Sequence, residues 1–158
     1  MMDTSEAAIR LGVATLAGVM VGLNRNLHGK PTGVRTLGLV SVGSALVMVV
    51  CSGFLGGPPG NPDAVSRVMP GIITGIGFLG AGVILRDLSD SKIHGLTTAA
   101  TIWLTAALGI ASGLGAWIPL AIAGALVLVL LMFGGRFERA IHSKLNPPPE
   151  GAEHDGID

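Results

Sequence analysis

Five apolar windows, carrying no charge except Arg10, divide this sequence at about residues 7–23, 37–55, 68–85, 96–113 and 116–133. Each approaches or reaches the roughly 17 to 25 helical residues that cross a hydrocarbon core about 30 Å thick. Inside lipid a helix satisfies all its backbone polar groups within one segment, so the pattern predicts an all-α, polytopic transmembrane bundle of about five spans. Charged residues make up 13% of the chain, well below the roughly 25% of soluble domains. The formal net charge is zero, which argues against nucleic acid as a partner.

The lysines and arginines give the spans a direction. Arg25, Lys30 and Arg35, then Arg86 and Lys92, then Arg136, Arg139 and Lys144 fall on one side, and only Arg10 and Arg67 on the other. Cytoplasmic loops retain such cations, so the N terminus is expected outside and the C terminus in the cytoplasm. The start "MMDTSEAAIR" has no basic leader, and no cleaved signal peptide is expected. Residues 1–135 form the expected membrane domain. Residues 136–158 read as a basic, amphipathic stub followed by a disordered tail rich in proline, glycine and acids.

Helices associate in lipid by close backbone approach over small residues. Gly18 and Gly22 lie one turn apart, as do Gly71 and Gly75, and the third window continues through Gly77, Gly80 and Gly82. That density predicts that the third span is the central helix, with a homodimer interface as a further expectation. Gly75, Gly77 and Gly80 also spell G-x-G-x-x-G. A dinucleotide fingerprint needs a strand before it and an acid about 20 residues later, and neither is present. The glycines therefore read as packing grooves.

Polar groups within the spans are few. Thr97, Thr101 and Thr105 recur every four residues along one face of the fourth span. They read either as hydroxyls bonded to their own helix or as a polar seam facing the bundle interior, where they bridge helices or line a narrow cavity. Every carboxylate falls in a loop, a helix end or the tail, and the four histidines are scattered. Cys51 stands alone in an apolar run and reads as a packing residue. No nucleophile, metal cluster or cofactor loop emerges, so no catalytic role, cofactor or metal ligand is expected. The first basic loop, "GLNRNLHGKPTGVRTLGLV", joins Asn24 and Arg25 to Lys30, Arg35 and Thr36 across a stiff Pro-Thr-Gly turn. It reads as a topology signal that meets anionic membrane lipids, or as a specific site held in place by Pro31 and Gly33. Asp63 and Arg67, four apart, can pair at the entry to the third span.

That loop, with "GIGFLGAGVILRD" and "GLTTAATIWLTAALGIASGLG", closely resembles the MgtC/SapB family of bacterial inner-membrane proteins over residues 11–117. The resemblance implies a multi-span bundle of the plasma membrane connected with magnesium homeostasis, low-magnesium stress and virulence. It also implies action on other membrane proteins, the F1F0 ATP synthase among them. The motif positions carried over are Arg25, Lys30, Pro31, Arg35, Asp63, Arg67, Arg86, Thr97 and Thr98. The chain departs from the family pattern with Asn24 in place of an acid, Leu37 in place of a histidine and Gly71 in place of a glutamine. It reads as a short form without the soluble C-terminal domain of some members. Two functions are expected from these readings: a non-catalytic modulator of partner membrane proteins, or a channel or transporter for Mg2+ or another small solute.

Overall fold

The computed structural model describes residues 2–54, 62–86 and 93–145. Five helices carry the chain: α1 (Thr4–Leu27), α2 (Val34–Val49), α3 (Pro62–Gly82), α4 (Leu96–Leu114) and α5 (Trp117–Leu145). All five are long and apolar enough to cross a membrane, as the charge-poor windows require. A π-helical turn, Val50–Phe54, extends α2 and bends at Gly53. Two short strands, β1 (Leu85–Arg86) and β2 (Ile93–His94), pair antiparallel between α3 and α4.

The helix ends follow local chemistry. Asp3 caps α1, and its carboxylate accepts the Ser5 hydroxyl at 2.5 Å and the Thr4 N–H at 2.8 Å. Those two bonds hold the Asp3 carboxyl below its ordinary pKa. The basic stub continues α5 as helix through Leu145, past the expected boundary at residue 135, while the tail lies outside the described residues.

The central helix is α4, which corrects the expectation that the third span would take that place. It packs against each of the other four helices, and 56% of its span is buried against 6% for α3. The cause lies in where small residues meet a neighbour. A methyl group on Gly113 would sit 2.6 Å from the Ala45 carbonyl oxygen, and one on Gly109 would overlap the Ser41 carbonyl. The α1–α2 contact is equally close, with Gly18 over Leu37 and Gly22 over the Val34 backbone. Gly71, Gly75, Gly77 and Gly82 on α3 face open space within this chain, and Gly80 alone of that group meets a neighbour, Ala99. Gly71 and Gly75 instead line an apolar groove of about 410 Å³ between α2 and α3, opposite Gly43 and Val47.

Gly95, which opens α4, has φ 92°, and a methyl group there would overlap the Val83 carbonyl. Gly95→Ala is therefore expected to destabilise the α3–α4 connection by about 1–3 kcal/mol. A fall in the unfolding midpoint of the detergent-solubilised protein measures it.

Candidate functional site

The windows place Arg25 in a loop; the structure places it in the last turn of α1, 3% exposed. Its Nη2 donates to the Thr98 hydroxyl at 2.6 Å and to the Pro31 carbonyl at 2.8 Å. Nη1 reaches the Thr101 hydroxyl at 3.3 Å, and Nε reaches the Pro31 and Thr32 carbonyls at 3.2 and 3.3 Å. One side chain thus joins the end of α1, the turn after it and the start of α4. Among the described residues no carboxylate meets the guanidinium. A buried charge held only by neutral oxygens depends on their geometry, because no opposite charge offsets its desolvation.

The other motif residues sort by position. Asn24 is half-buried on α1, and its carbonyl accepts a bond from His28 Nδ1 at 2.7 Å. Lys30 is exposed, and its N–H returns to the Arg25 carbonyl at 3.0 Å. Arg35 and Thr36 are exposed on the first turn of α2, and Thr97 is exposed on α4. Asp63 and Arg67 sit exposed on the first turns of α3, at the membrane face opposite Arg25. The 20-residue span separates those faces by about 30 Å. Arg86 contributes backbone to the β1–β2 pair. The structure therefore brings together Arg25, Pro31, Thr98 and Thr101, with Asn24 and Lys30 at the rim, and leaves Asp63 and Arg67 apart.

Both readings of the threonine seam hold in part, since the hydroxyls bond their own helix while Thr101 also bridges to Arg25 on α1. Thr101 donates to the Thr97 carbonyl at 2.6 Å and Thr105 to the Thr101 carbonyl at 2.8 Å. Ser44 likewise bonds Val40, while Ser41 bonds across to Ala14 on α1 and Ser112 to Arg10. Each of these buried hydroxyls donates to a backbone carbonyl.

A second arginine contact lies at the opposite face. Arg10 Nη1 donates to the Gly113 carbonyl at 2.9 Å near the C-terminal end of α4, and Nη2 pairs with Glu6 one turn earlier on α1. A cation at a helix C terminus meets its exposed carbonyls and its negative dipole end. The spacing of Glu6 and Arg10 was the available signal for the pair; nothing in the sequence pointed to Gly113. Among the described residues no three His, Cys, Asp or Glu side chains gather as a metal site.

The sequence is similar to those of known proteins. The sequence pattern of the MgtC family matches residues 11–140. The chain belongs to the MgtC family. It is 43% identical over 139 residues to protein SrpB of Synechococcus elongatus, covering 84% of this chain and 76% of that one. It is 40% identical over 138 residues to YhiD of Escherichia coli, which carries a provisional magnesium-transporter name, covering 82% of this chain and 60% of YhiD. Protein MgtC of Salmonella typhimurium is 38% identical over 107 residues, 68% of this chain and 43% of MgtC. The chain thus spans less than two thirds of the YhiD and MgtC lengths. No solved structure matches it.

Proposed function

We propose that this chain is a non-catalytic protein of the bacterial inner membrane that binds and modulates partner membrane proteins in magnesium homeostasis and low-magnesium stress. The observation that carries the reading is the division of labour among the helices. The α1, α2 and α4 helices satisfy the buried hydroxyls of Ser41, Ser44, Thr101, Thr105 and Ser112 and both arginine contacts internally, whereas α3 keeps Gly71, Gly75, Gly77 and Gly82 open. Open small residues on a membrane helix suit the close approach of another helix. The partner is a second copy or another membrane protein, and the family resemblance adds the F1F0 ATP synthase and virulence to what should be tested. The cation bias orients the N terminus outside and the C terminus in the cytoplasm.

Gly75→Leu is expected to abolish co-purification of a defined cross-linked partner while leaving the unfolding midpoint of this chain unchanged. Retention of that partner by the variant sinks the reading. The provisional name of YhiD favours transport as the second reading. Purified protein in liposomes decides between them: Mg2+ or small-solute flux above that of empty vesicles establishes transport, and its absence across a range of gradients supports modulation.

A further inference from the structure

The turn between α1 and α2 opposes its own geometry. Thr32 has φ 67°, in the left-handed region that a β-branched residue rarely enters. Its Oγ1 is shielded from solvent and has no hydrogen-bond partner. Both costs fall on one residue, and both disappear if the turn lifts into water. The apolar side chain that borders the turn, Leu27, is 76% exposed, and His28 through Pro31 are exposed as well. Little packing therefore resists such a movement.

What does resist it is Arg25. One edge of its guanidinium takes the Pro31 and Thr32 carbonyls, and the other takes Thr98 and Thr101 on α4. The ends of the turn are fixed independently. At one end the Arg25 carbonyl accepts the His28 N–H and the Asn26 carbonyl accepts the Gly29 N–H. At the other, Gly22 lies so near the Val34 backbone that a methyl group would sit 2.6 Å from Val34 Cα. The segment between these anchors is short and strained, and Arg25 holds it through its guanidinium and through its carbonyl, which accepts the Lys30 N–H.

We propose that residues 30–33 form a strained strap, latched by Arg25, that opens and closes as a unit over the Thr98–Thr101 end of α4 while the helices stay packed. Closing places Thr32 in its strained conformation and completes the guanidinium bonds. Opening relaxes Thr32, wets its hydroxyl and uncovers the buried cation. Strain stored where the surrounding structure enforces it is a recurrent way to build two states that differ little in free energy.

The test uses the full chain in detergent with Cys51→Ser and Thr101→Cys, so that one thiol reports on the covered end of α4. Thr101 is 2% exposed and makes the longer of the two hydroxyl contacts to Arg25, which leaves the latch at Thr98 in place. The rate of modification by a polar maleimide reads the open fraction. Adding Thr98→Val is expected to raise that rate about tenfold by removing the shortest latch bond. Adding Thr32→Gly or Thr32→Asn, residues that accept positive φ, is expected to lower it about threefold or more. If both Thr32 variants leave the rate unchanged or raise it, the strap is not strained and the proposal fails. It fails equally if Thr98→Val has no effect. Exchange of the Lys30 amide in chains carrying only the Thr98 or Thr32 changes gives the same comparison without the reporter cysteine.

Discussion

Gly109→Leu and Gly22→Leu are expected to destroy the folded bundle, while Gly77→Leu and Gly82→Leu leave it intact. At Gly109 a side chain would overlap the Ser41 carbonyl, and at Gly22 it would sit 2.6 to 2.9 Å from the Val34 and Gly33 backbones. These obstacles are main-chain atoms, so no rotamer change relieves them and the helices must separate. Inserting methylenes into a well-packed interior already costs about 1–3 kcal/mol where side chains can yield. A collision with backbone exceeds that and consumes a large share of the roughly 5–15 kcal/mol that stabilises a folded domain. At Gly77 and Gly82 a methyl group would meet nothing within 4 Å. Leucine there improves helix propensity by up to about 1 kcal/mol and adds lipid-facing area. Size-exclusion profiles and unfolding midpoints in detergent check the contrast. A normal profile for Gly109→Leu would remove α4 from the centre of the fold.

That contrast also marks what the sequence could and could not reveal. Five spans were legible because a window of missing charge has one physical meaning at that length. Centrality was not, since counting glycines says nothing about which neighbour fills the groove. A better signal was present in Thr98, Thr101, Thr105, Gly109 and Ser112, spaced three or four apart on the least hydrophobic of the five helices. Polar and small groups in lipid turn toward protein, so this stripe marks the buried face. The open glycines of α3 carry the opposite lesson, because no neighbour among the described residues fills the space beside Gly71, Gly75, Gly77 and Gly82. Arg25 was visible as a motif residue, yet its charge ended the first window and so suggested a loop. Its burial depends on Thr98 and Thr101, more than 70 positions away, and no local pattern encodes a contact of that range.

Arg25→Met is expected to loosen the membrane face where α1 ends, and its coupling to Thr98 is the informative measurement. The methionine fills much of the volume but leaves the Pro31 and Thr32 carbonyls without the donor they share. These acceptors are part-buried, so each one orphaned costs at most about 1–3 kcal/mol, partly offset by removal of a buried charge. The Thr98 and Thr101 hydroxyls lose less, because each can turn to a carbonyl of its own helix, as Thr101 already does with Thr97. Arg25→Lys is expected to recover only part of the loss, since an ammonium is a compact donor group and cannot span both edges as a planar guanidinium does. Thr98→Val alone removes the 2.6 Å contact while keeping the shape, at about 1.5–3 kcal/mol for a bond to a charged donor. In the double variant the Thr98 change should cost almost nothing further, giving a coupling energy of about 1.5–3 kcal/mol in a double-mutant cycle. Additivity within about 0.5 kcal/mol would mean that Arg25 and Thr98 act independently, and the link from α1 through the turn to α4 would then have to be abandoned.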